Sequence, residues 1–327
     1  MTIKQIYDLA IKLGIQNDLR GTAKVKKYLD RTKKKFAKLP EDEKKEFDQE
    51  KLINPYSDTR ILNDPPSSRV PRNSGEASKQ VKKIMVGIDM EVSELLLADK
   101  LGDIDLVLAH HPRGEALADL HSVMDLQVEV LAQYGVPINI AESVLKPRIS
   151  EVNRGISPIN HHRAVDAAKL LNLGFMCVHT PCDNMGANFL SKMLKRKKPE
   201  TVGEVLEMLK SIPEFAEAVK RKAGPTLFTG APENMAGKIV VTEFTGGTSG
   251  AKEIYEKMAQ AGIGTIIGMH MGEEHRKEAE KYHINVVIAG HMASDSLGIN
   301  LFLDQLEKKG VKVVPVSGLI RVSRRKS

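Results

Sequence analysis

Three short stretches of this chain place metal-ligand side chains directly after apolar runs: Ala109-His110-His111-Pro112, His179-Thr180-Pro181-Cys182-Asp183 and Gly290-His291-Met292-Ala293-Ser294-Asp295. Imidazole and carboxylate together are donors for divalent cations such as Zn, Fe, Mn, Co or Ni, and the residue types do not choose among them. If each apolar run is a strand, all three groups lie at strand carboxyl ends, where open α/β sheets bind ligands. Successive side chains on an extended strand point to opposite sides, so His110 and His111 can serve two different ions about 3.5–4 Å apart. The competing reading is a strand-end pair hydrogen-bonded to nearby backbone.

His179 and Asp183 flank Pro181, which favours a turn presenting both side chains; alternatively Asp183 caps a helix starting near Gly186. Cys177 reads as buried packing and Cys182 as a possible soft ligand. His291 and Asp295 share one face if a helix begins at once, and a carboxylate there can bridge two ions. The bland alternative puts Asp295 at a helix N-terminus, where the dipole favours an anion. Proton carriers are sought at the same edge: His179, His270, Glu273 and Glu274 are candidates, the last three following a predicted strand at Gly264–Gly268. Thr245-Gly246-Gly247-Thr248-Ser249-Gly250 could cradle an oxyanion, or form a tight turn with Ser249 as a helix N-cap.

These residues need an alternating framework to hold them. From residue 82 onward the pattern supplies strands at Lys83–Ile88, Ile104–Ala109, Val136–Ile140 and Gly174–Val178, then a helical connector over about 186–222. Strands follow at Lys238–Phe244, Gly264–Gly268 and Ile284–Ala289, with a closing pair at Val311–Val316 and Leu319–Val322. Helices are expected between them at Val92–Leu101, Ser122–Tyr134, Ala164–Leu171, Ala251–Ala261, Glu273–Tyr282 and Ser296–Lys308. The fold class is α/β: two lobes with largely parallel sheets flanked by helices. The expected division is a basic helical extension and Pro-rich linker over 1–79, a first lobe over 80–195, a helical connector over 196–235 and a second lobe over 236–327. Within the linker, Asn54–Arg60 reads as an ordered loop with no assignable job.

Of 327 residues, 41% are hydrophobic and 4% aromatic, with no Trp, which argues against aromatic platforms for stacking bases. The net charge of +7 is concentrated: residues 1–38 hold eleven Lys/Arg against three Asp, a balance of +8, leaving −1 for the remainder. Such a segment either contacts nucleic acid or another anionic partner, or forms a solvated helix face. Two cysteines give no disulfide framework, and neither a signal peptide nor an apolar run of membrane length is seen, so a cytoplasmic location is expected.

The ordered set of motifs resembles the Ngg-interacting-factor-three-like family, also labelled GTP cyclohydrolase I type 2 homologues. A strand ending in Asp (Gly87-Ile88-Asp89), a strand ending in His-His-Pro (His110, His111, Pro112), a later His-x-x-x-Asp (His179, Asp183) and a terminal Gly-His-x-x-x-acid (Gly290, His291, Asp295) carry the resemblance over about residues 80–327. It implies a two-lobed fold with a dinuclear metal centre between the lobes, and a ring-shaped homohexamer. It also implies that His110, His111, Asp183, His291 and Asp295 are the ligands, with Asp89 nearby and His179 an additional group. The family's last ligand is usually Glu; this chain has Asp295, one methylene shorter. The expected function is hydrolysis of a small anionic substrate, a phosphate ester or nucleotide-like molecule, by two divalent ions per chain. The alternative is a non-enzymatic metal-binding assembly or regulatory protein whose basic segment contacts a partner. No purine pocket for cyclohydrolase action on GTP is visible.

Overall fold

The computed structural model describes residues 1–65 and 80–324. Among them the strands, in chain order, are β1 (Arg60–Asn63), β2 (Lys83–Gly87), β3 (Leu106–Ala109), β4 (Gly174–Cys177), β5 (Thr226–Thr229), β6 (Lys238–Val241), β7 (Ile263–Gly268), β8 (Asn285–Ile288) and β9 (Lys312–Pro315). They form two sheets, ordered β1-β4-β3-β2-β9 and β5-β8-β7-β6. All pairings are parallel except β1 on β4 and β5 on β8. No helix among the described residues is long and apolar enough to cross a membrane.

The first sheet is covered on both faces, which is why its strands read as unbroken apolar runs. Along β3, Leu106 and Leu108 enter one core with Ile84, Val86 and Phe302, while Val107 and Ala109 enter another with Met85, Leu95 and Phe175. The second sheet divides likewise: Val241, Ile267 and Val287 face one cluster, and Val240, Ile266, Val286 and Ile288 the other.

Several expectations change. Val136–Ile140 is no strand; Pro137 is the N-cap of the helix Ile138–Ile156, whose apolar stripe is Ala141, Leu145 and Val152. Its β-branched residues mimic a strand, but exposed Ile138 has no sheet to join. The closing pair does not belong to the second lobe. β9 pairs in parallel with β2, because the helix His291–Glu307 crosses back to the first sheet, where Phe302, Leu303 and Leu306 are buried. Leu319–Val322 is not a strand: the Ile320 N–H donates to Ser296 Oγ and its carbonyl accepts from Asn300, so side chains replace a ladder.

The expected linker is partly structure. Arg60–Asn63 forms edge strand β1, and Asn54–Arg60 is buried throughout, with Tyr56, Asp58 and Thr59 wholly enclosed. The rest of the linker expectation, residues 66–79, lies outside the described residues. The connector holds the helices Val202–Lys210 and Pro213–Lys220, but ends in β5, an edge strand of the second sheet. The N-terminal segment is not a mere extension either. The helix Ile3–Asn17, closed by a Thr2–Gln5 capping box, buries Ile3, Ile6, Tyr7 and Ala10 in the core of the first sheet. Each such large side chain contributes about 1.5–3 kcal/mol, so deleting this helix would damage the fold itself. The following helix, Thr22–Ala37, turns its lysines outward as a solvated face and buries Val25.

Two long helices, Thr180–Lys197 and His291–Glu307, pack where the lobes meet. Their approach is set by glycines: a Cβ on Gly298 would stand 2.4 Å from the Cys182 carbonyl oxygen, and one on Gly186 would stand 3.5 Å from the Gly298 Cα. Gly298→Ala is therefore expected to destabilise the protein by about 1–3 kcal/mol, the usual range for overpacking, seen as a lower urea midpoint with an unchanged slope. An unaltered midpoint would mean that the two helices have room to spare.

Candidate metal centre

The first sheet's carboxyl ends deliver Asp89 after β2, His110 and His111 after β3, and His179 after β4. The ladder is carried onward by backbone: His110 N–H donates to Gly87 O at 2.9 Å and His111 N–H to Ile88 O at 3.0 Å. Opposite them, β7 is followed by His270 and β8 by Gly290 and His291. Gly290 has φ +102 and its absent Cβ would lie 2.5 Å from Ala223 O, so only glycine makes this turn. His291 opens its helix at once, and Asp295 stands one turn later on the same face. Pro181 does not break the chain into a loop as expected. The helix starts at Thr180 and Pro181 occupies its first turn, where a missing N–H costs nothing. His179 is the N-cap and Asp183 lies in that first turn.

The donor atoms converge on Asp295. Its Oδ1 is 3.5 Å from His110 Nε2, which is also 3.2 Å from Asp183 Oδ1. Its Oδ2 is 3.3 Å from His111 Nε2 and 3.5 Å from His291 Nε2. His179 Nε2 is 3.6 Å from Asp183 Oδ2. Donors bound at about 2.0–2.1 Å to one tetrahedral ion stand about 3.3–3.4 Å apart, and these separations match. Three overlapping groups, His110/His111/His179, His111/His291/Asp295 and His110/Asp183/Asp295, each keep their ligand atoms within 4.8 Å of one another. His110 Nε2, Asp183 Oδ1 and Asp295 Oδ2 are buried without a directed hydrogen-bond partner, a costly arrangement that a cation would relieve. The residues present fit a metal ion.

The far side of each ring strengthens that reading. His110 Nδ1 lies 3.1 Å from Val178 O, a carbonyl that can only accept; His111 Nδ1 lies 2.8 Å from Asp89 Oδ1 and His179 Nδ1 2.8 Å from Asp58 Oδ2. Each partner fixes the proton on Nδ1 and leaves Nε2 free as a ligand. Without an ion the cluster is held by its own charges. Burial disfavours the charged form of His110, but the Asp295 and Asp183 carboxylates beside it outweigh that and raise its pKa well above the ordinary value. Burial likewise works against Asp295 as an anion, yet His110 and His111 hold it far below the usual carboxylate range. Hydrogen bonding to His111 brings the Asp89 carboxyl down to about 2. Burial lowers His270 and His291, keeping both neutral near pH 7.

Other expected positions divide. His270 lines the cleft beside His291, their ring centroids 4.8 Å apart. Glu273 and Glu274 do not reach it: both are exposed, paired with Arg276 and with Lys277 and Lys252. The helix Glu273–Lys281 turns His275 and Ala279 inward, which sends its first-turn acids to solvent. Ser249 is no N-cap, since the next helix, Ile254–Gln260, is entered through Glu253. The Thr245–Gly250 loop is instead tied to the first lobe through Gln127 Nε2, which donates to Gly246 O and Thr248 O at 2.8 and 2.7 Å. Cys182 is buried beside His110, and burial raises its thiol pKa, so it stays protonated.

The model of the Duf34/NIF3 (NGG1p interacting factor 3) family matches residues 152–319, just over half of the 327-residue chain. The chain belongs to the NIF3 family. That match spans His179, Asp183, His291 and Asp295 and leaves Asp89, His110 and His111 outside it. A NIF3 superfamily protein from Sphaerobacter thermophilus is similar over 98% of this chain and 99% of its own, at 25% identity and a TM-score of 0.75. The reduced HcgD of Methanocaldococcus jannaschii is similar over 73% of this chain and 85% of its own, at 15% identity and a TM-score of 0.47. No curated protein matches the sequence.

One partner of this NIF3 site had no signal in the sequence. Asp58, wholly buried in the segment expected to be linker, accepts from His179 Nδ1 and, at 2.6 Å, from Thr180 Oγ1. Asp58→Asn keeps the shape but leaves an amide that can offer a hydrogen to Nδ1, turning the ring's free nitrogen away from the cluster. Metal affinity is expected to fall about 10–100-fold, as for other carboxylates behind ligating histidines. Competition against a chromogenic chelator measures it; an unchanged affinity would remove His179 from the ligand set.

Proposed function

We propose that this NIF3 protein is a hydrolase with a dinuclear divalent-metal centre, acting on a phosphate ester. The observation that carries the reading is the division of Asp295: Oδ1 faces His110 and the neighbouring Asp183, while Oδ2 faces His111 and His291. His110, Asp183 and Asp295 Oδ1, with His179 beside them, would hold one ion; His111, His291 and Asp295 Oδ2 would hold a second. Bound there, two divalent cations would lower the pKa of a water and offset charge developing on phosphoryl oxygens.

The chain's own groups would do the rest. His270, neutral in the cleft, is placed to accept a proton from the attacking water. Asp58 and Asp89 keep His179 and His111 oriented through the cycle. Glu274 takes no part, because it is exposed and paired with lysines.

The test is turnover of simple phosphomonoesters by protein loaded separately with Zn, Mn, Fe, Co or Ni, against His111→Ala treated identically. Metal-dependent release of inorganic phosphate, lost in the variant, supports the hydrolase. Full metal occupancy with no turnover by any ion would favour a metal-binding assembly or regulatory role. The outward lysines of Thr22–Ala37 favour that second reading. Lys33→Glu, Lys34→Glu and Lys35→Glu together would test it, leaving the buried helix Ile3–Asn17 intact. Retention on an anionic matrix that fell in this variant with metal content unchanged would support partner contact through the basic face.

A further inference from the structure

One acid at the carboxyl edge of the second sheet has no role in the scheme above. Glu243 stands two residues after β6, with φ +53, a backbone region that non-glycine residues seldom take and that costs energy to hold. It lines two spaces at once. One is the metal-facing cleft with His179, Asp183, His270 and His291. The other is a cavity of ≈ 40 Å³ walled by Val130, Leu131, Leu145, Ile254 and Met258. Among the described residues, only Thr245 shares this position between the two.

Glu243 Oε2 is buried and has no hydrogen-bond partner, while Oε1 lies 3.8 Å from His275 Nδ1. An unpaired buried carboxylate oxygen is expensive, and a proton removes the charge. Burial pushes the carboxyl up to about 7, against the pull of the Gly250 backbone N–H and Arg148. On the cavity side the groups facing it are Arg148 from the helix Ile138–Ile156, Tyr255 from Ile254–Gln260 and His275 from Glu273–Lys281, and on the cleft side His179, Asp183, His270 and His291. Burial lowers His275, which leaves Arg148 as the fixed charge on the cavity side. A carboxyl with a pKa near the working pH, set between a metal cleft and an apolar cavity, is suited to give a proton to a departing group.

We propose that Glu243 is the general acid for the leaving oxygen, and that the cavity behind it receives the small, uncharged organic group of a phosphate monoester. This rests on the hydrolase reading and narrows its substrate class. The cavity is far smaller than the roughly 150 Å³ that admits benzene, so it selects short alkyl groups over nucleobases. In the step, water oxygen forms a bond to phosphorus as the ester P–O bond breaks. The bonding electron pair goes to the leaving oxygen, which takes the Glu243 proton and departs as an alcohol. The surplus proton of the attacking water passes to His270 and from there to solvent, and Glu243 regains one from solvent. Ester and water become alcohol and inorganic phosphate, with no change in oxidation state.

Ethyl phosphate and trifluoroethyl phosphate separate this role from a structural one, since they differ in how basic the leaving oxygen is, and comparing each ester's variant rate with its own wild-type rate cancels the greater bulk of the trifluoromethyl group. In metal-loaded protein, Glu243→Gln is expected to slow ethyl phosphate by about 100- to 10,000-fold and trifluoroethyl phosphate by less than about tenfold. An infrared band of a buried protonated carboxyl should be present in the metal-free wild type at pH 6, fade by pH 8, and be missing from the metal-free variant. Leu131→Phe, which fills the cavity, is expected to raise KM for ethyl phosphate about tenfold or more. Equal slowing of both esters, or absence of the band from the wild type, overturns the acid assignment. An unchanged KM in Leu131→Phe overturns the role of the cavity. Wild type that turns over neither ester overturns the hydrolase reading and this inference with it, a result distinct from selective failure of the variants.

Discussion

Asp295→Asn is expected to empty both halves of the proposed two-ion centre, whereas His291→Ala should empty only one. The asymmetry follows from where the carboxylate stands. Oδ1 lies 3.5 Å from His110 Nε2, and Oδ2 lies 3.3 and 3.5 Å from His111 and His291 Nε2, so one side chain serves both donor sets. An amide supplies neither the charge nor two equivalent oxygens. The affinity loss should exceed about 100-fold, because outer partners of ligands alone are worth 10–100-fold. His291, partly exposed at the first position of its helix, touches only the Oδ2 side. Chelator competition resolves the two cases: about one tightly held ion per chain in His291→Ala, and none in Asp295→Asn. Loss of a single ion in Asp295→Asn would show that the carboxylate does not bridge. Removing one partner of a buried charge cluster also costs about 3–5 kcal/mol in the metal-free chain, so the variant's urea midpoint belongs beside the metal titration.

The stabilisation given by metal is expected to grow with pH. In the metal-free chain the His110 pKa is raised above its ordinary 6.5. Its contribution to stability is therefore complete below about 6.5 and is lost as pH rises through the folded-state value. Asp295 is depressed below its ordinary 3.8, so its contribution is present above about 3.8 and is lost as pH falls through its folded-state value. The metal-free chain should be most stable between those limits. A cation needs the same imidazole neutral, and binding releases its proton. For each proton displaced, the gap between loaded and metal-free protein widens by about 1.4 kcal/mol per pH unit, or about 3 kcal/mol from pH 6 to pH 8. Thermal unfolding with and without metal at both values measures it. A gap that stays constant would mean that no protonated histidine is displaced on binding.

Much of this site was legible because its residues terminate strands. His110, His111, His179, Asp183, His291 and Asp295 could be singled out by apolar runs such as Leu106–Ala109 and Asn285–Ile288, which also fix the α/β class. Residues joined by tertiary contact alone were not visible. Asp58 stands in an Asn-, Pro- and Ser-containing stretch without periodicity, and only the fold brings it under His179. β9 reads like any closing strand, and its return to β2 depends on the path of a long helix that sequence spacing does not reveal. The two acids after the second sheet's strands make the contrast plain. Glu274 follows the β7 strand end and His270 in sequence, yet helical periodicity turns it to solvent. Glu243 follows β6 by the same edge rule, takes a positive φ and is turned inside.

Metal content per chain is the direct measurement: elemental analysis of wild-type protein purified without chelators and under conditions that retain labile ions. The account predicts about two divalent ions per chain. Protein that carries none, and takes up none when Zn, Mn, Fe, Co or Ni is supplied, would contradict it; the clustered histidines and aspartates would then be a buried ion-pair network joining the two lobes.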